Sequence, residues 1–299
     1  MNDASKVDWS ARNQVVGKSL PRVDGGERVE GTAIYPADMS MPGMLHAGVL
    51  RSPHPHAKIT RVDTSKALAH PGVKAVITAA DFHDVPVGAT IPMGEAGYDM
   101  WMVARINIAK EKVFWVGQPI AYVAAIDPHV AAEAVALIEV GYEPLPSVMS
   151  IDAAMAKTAP VIHENILTTG LEQPALSPSN ICSRTIIERG DGMAGISASI
   201  AAATASIDAT IDTAHQGYIE PQAMIASVDS NGAATVWTAT QGQHTTEIMI
   251  SRLLDWPQSR LKVVPAEIGG GFGGKISILG EAACVRLSLF AGRPIKLVL

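Results

Sequence analysis

The chain has 299 residues, of which 47% are hydrophobic and only 5% aromatic, with 23 Lys and Arg against 29 Asp and Glu. That length suggests about two domains, and Ala, Val, Ile and Leu must fill most of their cores. A formal net charge of −6 without a basic block argues against nucleic acid as a partner, and no apolar run reaches the roughly 18 residues of a membrane span. Met1–Ser19 is polar and lacks the apolar core of a secretion signal, so the expected setting is cytoplasmic.

In chain order, residues 1–27 read as an N-terminal arm. Leu45–Arg51 and Ala57–Val62 are predicted strands, separated by a loop holding Pro53 and Pro55. A short helix is predicted over Thr64–Leu68, capped by Asp63 or Thr64. A β-branched strand, Val73–Thr78, follows the Pro71-Gly72 turn. Val85–Arg105 is rich in Gly, Pro and Met without periodicity and reads as a long loop. Lys112–Val116 and Ile120–Ala125 are strands around Gly117-Gln118-Pro119. Asp127 caps a predicted helix over Pro128–Ile138, with proline in the first turn. Val140–Leu145 is a further strand. This irregular alternation predicts an α+β domain ending near residue 146.

Ser147–Ser179 is rich in proline and small polar residues and reads as a linker. Beyond Asn180, Ile181–Glu188 and Ala205–Thr213 are predicted strands around Gly195–Ala203, a small-residue segment whose state the sequence leaves open. Gln222–Val228 and Ala234–Thr240 form a predicted hairpin, because Asn231-Gly232 suits a tight turn. A helix over Thr245–Leu254 is closed by Trp256-Pro257. A strand, Leu261–Val264, is interrupted by Pro265, and an apolar helix is predicted over Leu279–Phe290.

Between that strand and helix lies Ile-Gly-Gly-Gly-Phe-Gly-Gly-Lys-Ile, residues 268–276, with five glycines within six positions. An extended segment, a glycine turn and a helix start together form the usual cradle for an anionic group on backbone N–H donors. The run also fits parts of a dinucleotide fingerprint and of a P-loop. However, Ile276 stands where a P-loop needs Ser or Thr, and no second crossover or ribose-binding acid follows Glu281. A tight turn without a ligand is the remaining alternative. Gln241, at the end of a predicted strand, can donate through its NH₂ to an oxo or phosphate oxygen, or can be a satisfied loop glutamine. Glu220 can serve acid–base chemistry or accept hydrogen bonds from backbone amides as a structural group. His54 and His56 read as surface-loop residues and His163-Glu164 as a solvated pair, since two histidines alone do not fill a metal site. Cys182 and Cys284 have no zinc or iron–sulfur spacing. An iron–sulfur cluster would therefore lie on another chain.

Several segments, taken in order, resemble the molybdopterin-binding large subunit of the xanthine dehydrogenase/aldehyde oxidase family of molybdenum hydroxylases. They are Arg22-Val-Asp-Gly, Arg28-Val-Glu-Gly-Thr-Ala-Ile-Tyr35 with Asp38, and Leu50-Arg-Ser-Pro-His-Pro-His56-Ala. Next come Gly117-Gln-Pro-Ile-Ala121, Ala131-Ala-Glu-Ala134 and Val140-Gly-Tyr-Glu-Pro-Leu-Pro146. Gly190-Asp191, Tyr218-Ile-Glu-Pro221, Thr240-Gln241 and Gly269–Lys275 complete the set. The resemblance implies an α+β fold: an a/b hammerhead domain over 28–146, then the beginning of a mixed α/β molybdopterin-binding domain over 180–299. It implies a molybdenum-bearing molybdopterin, in its cytosine dinucleotide form, with Gln241 hydrogen-bonding near a metal oxygen and Gly271, Phe272 and Gly273 beside the metal, none of them a direct metal ligand. It also implies hydroxylation with water-derived oxygen, electrons passing to 2Fe-2S and FAD on a small and a medium partner subunit.

Purine-oxidising members carry a glutamate where this chain has Ile276, so an aldehyde or heteroaromatic small molecule is the expected substrate. The general-base glutamate and the C-terminal part of the subunit are expected beyond Leu299, which would make the chain an N-terminal part that is inactive alone. The alternatives are an inactive binding or assembly module, and a nucleotide-binding protein using the glycine run.

Overall fold

The computed structural model describes residues 15–93, 96–190, 192–207, 209 and 211–299. Strand β7 (Pro119–Ala125), one place in from an edge of the main sheet, is buried at all seven positions. Alternate residues of β7 enter different cores. Tyr122 and Ala124 pack with residues of helix α8 (Glu281–Ala291), whereas Ala121 and Val123 pack with Ala134 of helix α4 (Pro128–Ala136). A strand covered on both faces needs such an unbroken apolar run.

β7 belongs to a seven-stranded sheet. It contains β1 (Leu45–Arg51), β3 (Val73–Thr78), β9 (Ala223–Val228), β10 (Ala234–Thr238), β11 (Leu261–Pro265) and β12 (Ile295–Val298), in the order β11-β10-β9-β12-β1-β7-β3. The β10/β11 and β1/β12 pairs are parallel; the others are antiparallel. The sheet therefore joins strands from both sides of the predicted linker, through Leu45 opposite Ile295 and His46 opposite Lys296. Three more strands, β2 (Ala57–Asp63), β6 (Lys112–Val113) and β8 (Glu139–Pro144), form a second sheet in the order β6-β2-β8.

Local signals account for much of this. Asp127 Oδ1 accepts from the N–H groups of His129 and Val130, capping α4 as its sequence predicts. The hairpin turn closes on Asp229, whose N–H donates to Ala233 O. Short helices α1 (Gly25–Glu30), α2 (Ser65–Ala69) and α5 (Ile151–Met155) lie at the surface. Helix α7 (Gln243–Leu254) packs on β11.

Three expectations fail: the loop over 85–105, the strand over 181–188 and the interruption at Pro265. The predicted loop 85–105 contains a hairpin, β4 (Thr90–Met93) with β5 (Ala96–Asp99), and helix α3 (Met100–Asn107). Asp99 caps α3 by accepting from Met102 N–H, and Met100, Val103, Ala104 and Asn107 form a buried face at helical spacing. Ile181–Glu188 forms no strand among the described residues; its one ladder contact is an isolated bridge from Ser183 to Thr169. The open segment is helix α6 (Gly192–Ala201), while Ala205–Thr213 includes positions outside those described. Pro265 ends β11 instead of breaking it. That strand is an edge, and proline is tolerated where no second neighbour needs its N–H.

Helix α3 supports the segment after the glycine run. Asn107 Nδ2 donates to Ile278 O at 3.0 Å, and Tyr122 Oη donates to Asn107 O at 2.6 Å. Burial pushes the Tyr122 hydroxyl above the ordinary phenol range, so it remains a donor. Tyr122→Phe leaves a buried carbonyl without its donor. We expect a loss of about 1–3 kcal/mol, read as a lower midpoint in thermal or urea denaturation. An unchanged midpoint would contradict this.

Candidate functional site

Strands β10 and β11 are parallel and β9 is antiparallel to β10, so the ends of β10 and β11 lie beside the start of β9. Three segments thereby meet at one sheet end: Tyr218–Gln222 before β9, Ala239–Gly242 after β10, and Ala266–Lys275 after β11. In open α/β sheets ligands bind outside the carboxyl ends of strands, the ends that β10 and β11 present here.

The run 269–275 is held there by three side chains. Glu220 Oε2 accepts from Gly269 N–H at 2.6 Å and from Lys275 Nζ at 2.5 Å. Gln241 Oε1 accepts from the N–H groups of Gly273 at 3.0 Å and Lys275 at 3.2 Å. Gln222 Nε2 donates to Gly274 O at 2.9 Å. The glycines have two causes. A Cβ on Gly271 would stand 2.5 Å from Gln241 Oε1, and one on Gly269 would stand 2.7 Å from Glu220 Cβ. Gly270 and Gly273 instead have φ of 95° and 89°, and Phe272 between them has φ of 48°.

This geometry assigns the Gln241 amide. Two N–H donors face one end of the carboxamide, so that end is oxygen and the NH₂ is turned away from the loop. Among the described residues, the N–H groups of Gly270, Gly271 and Phe272 have no protein acceptor. Phe272 is 72% exposed. The site thus offers amide donors and no anionic side chain free of a partner, which suits a group presenting oxygen acceptors. Ile276 follows, half-buried, with no charge to offer a substrate.

Lys275 is the decisive departure from a P-loop. Its side chain is fully buried and its ammonium is committed to Glu220, with the Tyr218 ring 4.8 Å away. It cannot reach a ligand phosphate. Glu220 thus takes the structural course among its two readings.

Elsewhere, His56 is buried, 6% exposed, with Nδ1 2.6 Å from Pro146 O. The His163 ring stacks on Phe114 at 4.6 Å, and burial, with His56 nearby, lowers its pKa. Neither is the solvated surface histidine that its sequence suggests, because neighbouring aromatic residues cover both rings. Glu164 pairs with Lys112. Cys182 is exposed and Cys284 is buried within α8. A cavity of about 440 Å³ lies beside Met149, Ile162 and Asn180 and shares no residue with the glycine run.

Residues 30–146 match the family model for the aldehyde oxidase and xanthine dehydrogenase a/b hammerhead domain, and residues 174–299 match that for a molybdopterin cofactor-binding domain. The chain is 33% identical over 288 residues to the nicotinate dehydrogenase large molybdopterin subunit of Eubacterium barkeri, covering 95% of this chain and 61% of that protein. It is 35% identical over 302 residues to the carbon monoxide dehydrogenase large chain of Afipia carboxidovorans, covering 99% of this chain and 36% of that one. Among solved structures it resembles quinoline 2-oxidoreductase from Pseudomonas putida 86, with a TM-score of 0.73 and 27% identity over 95% of this chain and 34% of that one. The chain therefore spans between about a third and three fifths of the length of these relatives.

The close approach at Gly271 gives a direct expectation. Gly271→Ala forces its new methyl against the Gln241 carboxamide, and we expect a loss of about 1–3 kcal/mol. Denaturation midpoints of the two proteins check this, and equal midpoints would contradict the geometry.

Proposed function

We propose, for a chain that belongs to the xanthine dehydrogenase/aldehyde oxidase family as a molybdopterin-binding large subunit, that Gln241 and residues 271–273 form one wall of the cofactor site. The enzyme is an oxidoreductase that hydroxylates an aldehyde or heteroaromatic carbon. The observation that carries this reading is the Gln241 amide, whose oxygen is spent on the loop and whose NH₂ is left to donate. The cofactor, when bound, supplies the two-electron oxidation and the transfer of a water-derived oxygen. Gln241 would hold a cofactor oxygen through Nε2, already oriented before the reaction, so that no reorganisation is needed as charge develops. The free N–H groups of Gly271 and Phe272 would add further donors. Ile276 would line the substrate side with an apolar group, which suits an aldehyde or an aromatic ring better than a purine.

In this proposal electrons leave to 2Fe-2S and FAD on separate small and medium subunits, and the molybdopterin is in its cytosine dinucleotide form. Neither cysteine has a partner cysteine near enough in sequence to share a cluster. The remainder of the molybdenum subunit would cover apolar residues displayed between Ile187 and Ile219. Ile187, Ile207 and Ile219 are each about nine-tenths exposed, and large apolar groups so displayed mark an interaction surface. We read residues 28–146 as the hammerhead domain, 147–179 as a linker and 180–299 as part of the cofactor domain.

Gln241→Glu tests the role of the NH₂. The variant keeps an oxygen for the N–H groups of Gly273 and Lys275 but loses the outward donor. In the complete enzyme we expect kcat to fall by about 10²–10³, with molybdenum content and melting temperature retained. Unchanged turnover would refute the assignment.

A further inference from the structure

Glu220 and Lys275 are 55 positions apart in sequence and form a closed pair inside the protein. Their side chains are 7% and 0% exposed. One carboxylate oxygen, Oε2, receives both the first N–H of the run, from Gly269, and the ammonium that ends it, from Lys275. The two ends of a seven-residue segment are thus tied to a single atom. Gln241 reads that closure directly, because its Oε1 accepts from the backbone of the same Lys275. A shift of Lys275 therefore moves the Gln241 carboxamide and the free N–H groups of Gly270, Gly271 and Phe272 together. Glu220 Oε1 is buried and has no partner, so a single oxygen does the holding.

We infer that Glu220, acting through Lys275, is a positioning residue that sets the Gln241 amide and the 270–273 backbone against the cofactor. This rests on the reading that the loop faces a molybdenum cofactor. Glu220 does not touch that group and is not a catalytic residue.

The test uses Glu220→Gln and the double variant Glu220→Gln/Lys275→Met, each in the complete enzyme. Four quantities are read: melting temperature, molybdenum per chain, the Mo(V) electron paramagnetic resonance spectrum, and kcat with KM. The single variant leaves a buried ammonium unpaired and should melt lower; the double variant removes both charges and should recover most of that loss. A purely structural pair would then also recover its spectrum and turnover. A positioning pair would not: the double variant should keep an altered Mo(V) spectrum and a kcat lowered by about a hundredfold, with KM little changed. A wild-type spectrum and kcat in the folded double variant would overturn the inference. So would failure of both variants to fold, which would make the pair a core element. A wild-type enzyme without molybdenum would overturn the functional reading itself, and this inference with it.

Discussion

One buried ion pair organises the glycine run and, through it, the candidate site. A carboxylate and an ammonium removed from water are costly to separate, by about 3–5 kcal/mol when one partner is lost. Glu220 and Lys275 also hold the backbone of Gly269, so the loop cannot relax without exposing a buried charge. Hydrogen bonds from Gly273 and Lys275 to Gln241, and from Gln222 to Gly274, then fix what the pair leaves free. A run of five glycines has a large conformational entropy to lose on folding. Here three side chains from neighbouring strand ends restrain it.

The sheet explains why those side chains meet. β9, β10 and β11 place Glu220, Gln241 and the glycine run at one end because of their mixed directions. The same sheet extends through β12 and β1 into the hammerhead strands. Arg293 Nε donates to Gly43 O at 2.5 Å and Lys296 Nζ to Met39 O at 3.0 Å, reinforcing that junction. On the other side, Asn107 of α3, itself held by Tyr122 Oη, holds the carbonyl of Ile278 just beyond the loop. Glu281 accepts from Thr238 Oγ1 and from the N–H groups of Leu279 and Gly280, tying the end of β10 to the start of α8. The loop is therefore gripped before, within and after the run.

What the sequence made legible follows from the range of each signal. The Asp127 cap, the Asn231-Gly232 turn and the β-branched Val73–Thr78 are local, and their elements stand close to where they are predicted. Helix α3 carries a buried face at Met100, Val103, Ala104 and Asn107, but Met102 and Ile106 on its other side are apolar too and blur that stripe in the sequence. The start of α8 lies two residues later than its apolar pattern suggests, because the Glu281 side chain captures the amides before it. Within the candidate site, Gln241 and the glycine run were visible as residue types suited to oxygen ligands. The link between Glu220 and Lys275 was not, since no local pattern marks a contact across 55 residues. Nor does the sequence separate glycines needed for close packing from those needed for positive φ; only the positions of Gln241 and Glu220 do that.

The most direct test of this account is a structure of the molybdenum-loaded enzyme that locates the metal relative to residues 241 and 269–275. Gln241 Nε2 should lie within hydrogen-bond distance of an oxygen on the molybdenum, with the Phe272–Gly273 backbone beside the metal. The Glu220–Lys275 pair should remain closed. Molybdenum bound away from the glycine run, or a Gln241 amide turned with its NH₂ toward Gly273, would contradict it.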